Sequence, residues 1–397
     1  MRIALITDTF PPLRTSGAVQ LRDLSREFAR QGHDLTVMLP AADLGALWRV
    51  EEMSGVRVLR LKAPRTKDID YVRRTVGEFL MPFAMRRNLR RSPLANEKWD
   101  GVVWYAPSIL HGPLVNSLKK AGGCKGYLII RDIFPEWAVD MGLMGRGLPY
   151  RVFKAVERYQ YSVADVIGVQ TPANLAYFED WAGQSRHRVE VLQNWLSEAP
   201  DVGCSIQVSD TPLAGRKIFV YAGNMGVAQG MGILLELASF LKNRGDIGFL
   251  FVGRGSDAKR LRAEATARAL DNVVFFDEIE PSEIPGLYAQ CYAGLVSLDP
   301  RHKTHNIPGK FLSYMQAGLP VLASINSGND LAALIDEARV GRVAADGSAA
   351  SLQQLALKLV DDIEAGAEIG DRCKMLAARL FSPEAAVRQI VRSLEDR

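Results

Sequence analysis

Cysteine is scarce in this sequence, and its cysteines form no recognisable site. The chain of 397 residues has four, which lie far apart and include no C-x-x-C pair: Cys124, Cys204, Cys291 and Cys373. Zinc modules and disulfide-stabilised small domains need closer or more regular spacing. The sequence therefore suggests neither class and favours a reducing cytoplasm.

Long apolar runs and strong net charge are also absent. No stretch reaches the roughly 18 uncharged apolar residues that span a bilayer. The residues after Met1, RIALIT, are typical of a strand and lack the features of a secretory signal. The formal net charge of +4 is too small for the positive field of a dedicated nucleic-acid-binding protein. We expect a cytoplasmic protein that is at most peripheral to a membrane.

What is present is a regular alternation of strands and helices. Hydrophobic residues make up 48% of the chain, enough for two or three domains. Short β-branched runs alternate with helical patterns, which predicts parallel sheets with crossover helices. We predict a helix over 17–31 and strands near 3–7, 35–39, 56–61, 102–105, 127–131, 166–170, 189–192, 218–222, 248–252, 273–276, 294–298, 321–324 and 342–344.

The segment 194–216 interrupts this alternation with proline and glycine residues. We therefore predict two doubly wound α/β domains, over 1–195 and 217–380, with a linker over 196–216 and a terminal helix over 381–397. Such domains bind ligands at the carboxyl ends of their strands. The predicted active site is a cleft between the two domains.

Two segments of the second half are typical of phosphate binding. The loop GNMGVAQG at 223–230 precedes a helical pattern, and its glycines let backbone amides approach an anion. An ordinary tight turn has the same composition. In 304–320, Pro308 begins a helix and Gly318 ends it, which places Lys310 in the first turn. A cation there opposes the helix dipole, by about 0.3 to 1 kcal/mol, unless an anion binds; the alternative is a solvated lysine.

A third glycine motif, GRGSDA at 253–258, satisfies the NAD fingerprint G-x-G-x-x-A. It follows the second strand of its domain, whereas the fingerprint normally follows the first. Arg254 within the turn would also crowd a pyrophosphate. We therefore favour other chemistry over an NAD-dependent oxidoreductase.

The first half offers two further candidates. The loop FPPLRTSG at 10–17 precedes a helix that Ser16 could cap, and Gly17 permits close approach to an anion. Asp132 and Glu136 follow a strand, where a carboxylate can orient a hydroxyl or act as a base. A helix cap or a surface charge is the alternative for either residue.

The stretch 62–93 is basic and amphipathic. It combines apolar side chains with Arg73, Arg74, Arg86, Arg87, Arg90 and Arg91. Such a helix can lie on an anionic membrane and meet a lipid-linked substrate. A solvated helix face would have the same pattern.

Taken together, these motifs resemble glycosyltransferase family 4. The matching residues are FPP at 10–12 with Gly17, YAGNMG at 221–226 with Gln229 and Gly230, and PGK at 308–310 through AGLPV at 317–321. More narrowly, RD at 131–132, PE at 135–136 and HKTHNIPGK at 302–310 look like bacterial O-antigen transferases of N-acetyl-L-fucosamine or related amino sugars.

The resemblance implies a GT-B fold of two Rossmann-like domains, with a final helix that returns to the first. It also implies retaining transfer from a UDP-sugar to a polyprenyl-diphosphate-linked saccharide at the cytoplasmic face of the inner membrane, without a metal or other cofactor. A non-hydrolysing UDP-sugar epimerase of similar fold is the alternative, and a non-catalytic UDP-binding protein is another.

The implied catalytic residues are Lys310, Asp132 and His305. The implied donor-binding residues are Gly17, Asn224, Met225, Gly226, Gln229, Arg254, Glu278, Ile279, Glu280, Asn306, Pro308, Gly309 and Ser313. The family often has an arginine and a lysine where this chain has Asn224 and Gln229, and glutamates where it has His305 and Ser313. Neutral amides cannot cancel the charge of a diphosphate, so that task shifts to Lys310, with Arg254, and to helix amides.

Overall fold

The computed structural model describes residues 1–13, 15–53, 55–66, 69–106, 108–182, 187–299, 307–326 and 328–396. The chain divides into two compact units. The first comprises Met1–Trp195 and Pro383–Arg397, and the second comprises Leu196–Ser382. Each unit has its own sheet and its own buried apolar clusters.

In the first unit, the described residues form eight strands that alternate with helices. The strands are β1 (Arg2–Ile6), β2 (Asp34–Ala41), β3 (Trp48–Met53), β4 (Val56–Lys62), β5 (Gly101–Tyr105), β6 (Lys125–Ile129), β7 (Val166–Val169) and β8 (Arg188–Val191). The helices between them are α1 (Ser16–Arg30), α2 (Tyr71–Leu89), α3 (Gly112–Gly122), α4 (Glu136–Asp140), α5 (Leu148–Val163) and α6 (Glu179–Ala182), with a 3-10 segment over Pro172–Phe178.

The first sheet is doubly wound. Its order is β3-β4-β2-β1-β5-β6-β7-β8, and only the β3–β4 pair of these described strands is antiparallel. Successive side chains of β1 point to opposite faces. Ile3 belongs to the same buried cluster as Leu21 of α1, whereas Ala4 belongs to a second cluster with Met85 of α2. Helices therefore cover both faces of the sheet.

The second unit repeats this architecture. Its strands are β9 (Lys217–Ala222), β10 (Ile247–Val252), β11 (Val273–Phe276), β12 (Ala293–Ser297), β13 (Val321–Ser324) and β14 (Gly341–Ala344). Its helices are α7 (Gly232–Phe240), α8 (Ala258–Ala267), α9 (Ile284–Tyr288), α10 (Gly309–Ala317), α11 (Asp330–Ala338), α12 (Ala349–Glu364) and α13 (Ile369–Leu380). The described strands are all parallel, in the order β11-β10-β9-β12-β13-β14.

The last helix, α14 (Pro383–Glu395), belongs to the first unit although it follows the second in sequence. Its Val387 and Ile390 are buried in the same cluster as Ile3. Gln389 Nε2 donates a hydrogen bond to Glu190 Oε1 at 2.8 Å. The helix therefore completes one helical layer of the first sheet.

The segment expected to be a linker differs from that prediction. Within 196–216, Ile206, Val208 and Leu213 are buried in the core of the second unit, and a short 3-10 turn covers Val208–Asp210. Because proline and glycine interrupt the periodicity of the segment, the sequence pattern does not indicate that these three apolar side chains pack against the second unit.

The predicted α/β fold is confirmed, and every predicted strand lies within two residues of an observed one. The sequence interpretation missed β3, which is antiparallel to β4 at the sheet edge. Its side chains are half-buried or exposed, and three of its six residues are charged. An edge strand of this kind lacks the apolar run of a buried parallel strand. Among the helices that the structure describes, none combines the length and apolar character needed to span a membrane.

Candidate functional site

The second sheet has its topological switch point between β9 and β12. Helical connections lead from β9 towards β10 on one side and from β12 towards β13 on the other. β9 and β12 share only two paired positions, Phe219 with Ala293 and Val220 with Gly294. Ligands of open α/β sheets bind beyond the carboxyl ends of the strands at such a point. The segments that follow β9 and β12 are therefore the candidate site of this unit.

Lys310 lies at this edge as the second residue of α10. Pro308 has extended backbone angles and precedes the helix, as predicted, and Gly318 ends it with a φ of 70°. The Lys310 Nζ atom lies 4.5 Å from the centroid of the Tyr221 ring, at the end of β9. Within the described residues, no carboxylate forms an ion pair with it. Burial lowers the pKa of Lys310 to about 8.

These surroundings are unfavourable for a cation. Lys310 is partly withdrawn from water, and it lies beside the positive end of a helix dipole. Contact with the face of an aromatic ring offsets part of this cost. An anion bound against the helix terminus would offset more of it, which is the arrangement that the sequence predicts.

Tyr314 attaches α10, the helix that carries Lys310, to the sheet, and the sequence interpretation did not identify it. It lies one helical turn after Lys310 and is fully buried. Its hydroxyl lies 3.1 Å from the carbonyl oxygen of Val220 in β9 and 3.2 Å from that of Leu295 in β12, so it bridges the two strands at the end of their pairing. A Cβ atom on Gly294 would lie 2.6 Å from the Tyr314 ring. The sequence signal that could have indicated this contact is Gly294 itself, because a glycine inside a buried strand marks a close approach by another group.

The loop after β9 folds back on itself. Gly223 has a φ of 138°, and a Cβ there would lie 3.7 Å from Lys310 Cε. The Tyr221 hydroxyl donates to the Asn224 carbonyl at 2.7 Å. Gln229 Oε1 accepts from the Gly226 amide at 3.0 Å and from Asn224 Nδ2 at 3.4 Å. The Gly226 amide, expected at the phosphates, is thus already bonded within the loop, while Asn224 is exposed.

Met225, which is predicted to contact the donor, packs into the core of the second unit. Its side chain is fully buried, and its amide donates to the Arg254 carbonyl at 2.8 Å. A Cβ on Gly255 would lie 2.4 Å from the Met225 carbonyl oxygen, and one on Gly253 would lie 2.1 Å from that of Gly223. The glycines of the apparent NAD motif therefore let two neighbouring loops touch, which explains the motif without a dinucleotide.

The other predicted donor-binding residues of the second unit lie after β10 and β11 and at the start of α10. Arg254 is 75% exposed, and its Nε lies 2.7 Å from Glu278 Oε2, so its charge is already paired. Ile279 packs against the core, and the Glu280 amide donates to Glu283 Oε2 at 3.1 Å. Gly309 begins α10, and its carbonyl accepts from Ser313 Oγ at 3.3 Å. His305 and Asn306 lie outside the described residues.

In the first unit, the switch point lies between β1 and β5. Gly17 is the second residue of α1, and a Cβ there would lie 3.4 Å from the Tyr105 hydroxyl. Thr15, rather than Ser16, caps this helix by accepting from the Ala18 amide. The helix begins one residue earlier than predicted, which turns Ser16 into its first residue.

Asp132 follows β6 and is half-buried. Its neighbour Arg131 is buried, donates through Nη1 to the Leu192 carbonyl at 2.7 Å, and lies 4.7 Å from the centroid of the Trp195 ring. Burial lowers the pKa of Arg131 to about 10. The electrostatic attraction of neighbouring groups, which include Asp132, acts in the opposite direction and raises this pKa. The first unit therefore holds the Asp132 loop in place through the residue before it.

His111 was also missed. It precedes α3, it is fully buried, and neither ring nitrogen has a hydrogen-bond partner within the described structure. Burial lowers the pKa of His111, and the negative charge of Asp8 acts in the opposite direction. Asp8 follows β1, so both residues belong to the carboxyl edge of the first sheet. The described residues contain no group of three or more His, Cys, Asp and Glu side chains placed to hold a metal ion.

Comparison with known families matches both halves of the chain. Residues 16–195 match the family described as glycosyl transferase 4-like domain, and residues 216–362 match that described as glycosyl transferases group 1. Together the matches cover more than three quarters of the chain.

Two curated proteins are similar over part of the chain. The probable glycosyltransferase WbjE of Pseudomonas aeruginosa is 26% identical over 56% of this chain and 57% of its own length. The putative colanic acid biosynthesis glycosyl transferase WcaI of Escherichia coli strain K12 is 26% identical over 49% of this chain and 50% of its own. The chain thus spans about half the length of the curated relatives it matches.

Solved structures are similar over nearly the whole chain at low identity. Sucrose-phosphate synthase from Thermosynechococcus elongatus has a TM-score of 0.76 and 16% identity, over 98% of this chain and 97% of that one. Anabaena HepE in complex with UDP and glucose has a TM-score of 0.71 and 16% identity over all of both chains. WaaG, a glycosyltransferase involved in lipopolysaccharide biosynthesis, has a TM-score of 0.68 and 16% identity, also over all of both.

Proposed function

Because the chain belongs to the group 1, family 4-like glycosyltransferases, we propose that it moves a sugar from a UDP-sugar to a polyprenyl-diphosphate-linked saccharide in O-antigen synthesis. Its fold is the GT-B fold of its structural neighbours. The UDP donor is supported by HepE, which was solved with UDP and with UDP-glucose. The pathway is supported by WcaI and WaaG, which are named for colanic acid and lipopolysaccharide synthesis.

Finer features of the reaction belong to the same proposal. The donor sugar is an N-acetylated deoxyamino sugar such as N-acetyl-L-fucosamine, on the resemblance of 131–136 and 302–310. The anomeric configuration is retained, and neither a metal ion nor another cofactor takes part. The protein works at the cytoplasmic face of the inner membrane, which it meets through the basic stretch from Arg73 to Arg91.

The observation that carries the proposal is the environment of Lys310. Its ammonium group lies at the switch point, beside the Gly223 loop and over the Tyr221 ring, without a described carboxylate partner. When the bond between the sugar and UDP breaks, negative charge accumulates on the departing diphosphate. A preorganised cation in a partly desolvated site stabilises that charge more effectively than water does. Lys310 is therefore assigned to the leaving group, with Asn224 as a neutral donor nearby.

Asp132 is assigned to a hydroxyl of the sugar or the acceptor. It follows β6 at the carboxyl edge of the first sheet, where substrates of doubly wound domains bind. The hydrogen bonds from Arg131 to the Leu192 and Gln193 carbonyls hold the start of its loop. Gly17, at the start of α1, is assigned to backbone contact with the donor phosphates.

The decisive experiment compares Lys310→Ala with the wild type. We expect sugar transfer from UDP-N-acetylated deoxyamino sugars to a membrane acceptor extract to fall by at least about 100-fold, the range seen when one charge-stabilising donor is removed. The fold should be retained, as circular dichroism would verify. Lys242→Ala, at an exposed lysine of the same unit, is the matched control.

Transfer by Lys310→Ala at the wild-type rate would refute the assignment. Incubation with the UDP-sugar alone separates transfer from the epimerase alternative, which needs no acceptor; the matched families do not favour that alternative. Parallel assays with EDTA test the proposed metal independence, because loss of transfer that added Mg²⁺ restores would contradict it.

A further inference from the structure

The first unit carries an open groove between α2, α3 and α5. Its volume is about 540 Å³, within the range of small-molecule sites. Most of its lining is apolar and includes Phe79, Phe83, Leu110, Val156 and Tyr159.

Exposed apolar side chains extend the groove along two helices. On α2, Val72, Val76 and Leu80 are each more than half exposed, as is Phe83 in the groove wall. On α5, Leu148 is 75% exposed. The buried side of α2, which includes Met81 and Met85, faces the core. The exposed side of α2 therefore carries these apolar side chains beside Arg73, Arg74 and Arg87, which a purely polar solvated face would not.

Two unpaired cations lie in the groove wall. Arg86 and Lys120 line it, and no carboxylate does. Neither side chain forms a hydrogen bond or ion pair with another described residue, and Arg86 Nε is buried without a partner. By contrast, Arg74 on the same helix pairs with Glu78 at 2.8 Å. An apolar groove with unpaired cations suits a ligand that has an apolar chain and an anionic head.

The groove has a direction. Each of its helices follows a parallel strand and runs back from the carboxyl edge of the sheet. Leu110 and Pro113 lie at the start of α3, near that edge, whereas Lys120 lies two turns further along, about 10 Å away. Arg86 is likewise near the far end of α2. The apolar end of the groove therefore points towards the carboxyl edge, and the cationic end points away.

This polarity distinguishes between two lipids. In a lipid-linked acceptor the diphosphate joins the lipid to the saccharide, so it must approach the carboxyl edge together with the sugar. The groove presents its cations at the opposite end. In a membrane phospholipid the phosphate stays at the bilayer surface, where the exposed Arg87, Arg90 and Arg91 after Arg86 would also lie.

We propose that the groove binds one acyl chain of an anionic membrane phospholipid, with Arg86 and Lys120 on the phosphate and the chain directed towards Leu110. This deepens the proposed function, on which the membrane setting rests, because it supplies a specific lipid site in addition to general attraction by basic residues. The bound lipid also fixes which face of the first unit meets the membrane.

The test is calorimetric binding of a short-chain lysophosphatidylglycerol below its micelle-forming concentration. Ala155→Trp places an indole in the groove from an exposed lining position and is expected to weaken binding about tenfold, or about 1.4 kcal/mol. Ala121→Trp, at an exposed position of α3 outside the lining, is the matched control and should bind like the wild type. Lys120→Gln should weaken binding of this lipid but not of an uncharged monoacylglycerol of equal chain length.

Vesicle sedimentation provides the second measurement. Vesicles of phosphatidylglycerol should retain the wild type and Ala121→Trp more strongly than Ala155→Trp. Equal binding of the lysolipid by Ala155→Trp and the wild type would overturn the proposal, as would tighter binding of a short isoprenyl diphosphate, which would assign the groove to the acceptor. No donor or transfer step is involved, so failure here is distinct from failure of the UDP-sugar assignment.

Discussion

Lys310 lies in an environment that disfavours its own positive charge. Burial lowers its pKa from 10.5 to about 8, so the folded chain disfavours the charged form that predominates at neutral pH. No described carboxylate offsets this cost. A residue retained for the fold alone would be expected in a better environment, and the natural explanation is an anion that binds only in the functional complex.

A stability measurement follows from that cost. Because the folded pKa lies below the unfolded one, the penalty is complete below about pH 8 and shrinks as the pH rises towards 10.5. We expect Lys310→Met to have a higher free energy of unfolding than the wild type at neutral pH, with a smaller difference at alkaline pH. Urea unfolding at both pH values would measure it. A destabilised Lys310→Met would show that the lysine has a structural role.

The same pKa predicts how UDP binding depends on pH. Lys310 is mostly cationic below about pH 8 and loses its charge above it, so the dissociation constant of UDP should rise as the pH passes that value. Lys310→Arg, which stays charged, should show a flatter profile. Isothermal titration calorimetry from neutral to alkaline pH tests this. Identical profiles for the wild type and Lys310→Ala would contradict it.

The candidate site could be predicted from the sequence only in part, for reasons visible in these residues. The position of Lys310 followed from Pro308 and Gly318, which are local helix signals. The occupied amide of Gly226 depends on how Gln229 turns, and spacing does not specify a rotamer. Tyr314 and His111 matter because of distant neighbours in the chain, which a sequence motif does not reveal.

Among elements, the described strands other than β3 were predictable because each is a short apolar run between turn signals. The glycine motifs in the two loops after β9 and β10 were harder to interpret than the strands. Gly253 and Gly255 match a cofactor motif, yet the space they leave is filled by the backbone of 223–225. A glycine pattern indicates that another group lies close to the backbone. The pattern alone does not distinguish a phosphate from a neighbouring loop.

The attachment of α10 to the sheet supports a prediction at this scale. The Tyr314 hydroxyl contacts carbonyls of β9 and β12, and Tyr314→Phe would remove this bridge without changing the shape of the ring. We expect the free energy of unfolding to fall by about 1 to 2 kcal/mol, with weaker UDP binding because Lys310 is less firmly held. Tyr292→Phe is the control, since its hydroxyl is half-buried with one contact of 3.4 Å. An unchanged UDP affinity would separate Tyr314 from the site.

At the scale of the whole molecule, the first unit is built from two separate parts of the chain. The first unit is complete only when α14 returns to it after 187 residues of the second unit. Composition gives no hint of this, because an amphipathic helix shows that it has a buried face but not which partner covers it. The resemblance to a known family supplied that expectation, and the partners of α14 are contacts such as that of Gln389 with Glu190.

The dependence of the first unit on its last helix can be tested with Ile390→Ala. Ile390 is fully buried among side chains of the first unit, so its truncation should lower the free energy of unfolding of that unit by about 2 to 4 kcal/mol. Hydrogen exchange should then accelerate in peptides from β1 and α1, while peptides from β9 and β10 keep their wild-type rates, since those strands belong to a separate core. Arg392→Ala, at an exposed position of the same helix, is the control. Equal acceleration in both units would mean that they unfold as one cooperative body, and unchanged exchange in β1 would mean that α14 contributes little to the first core.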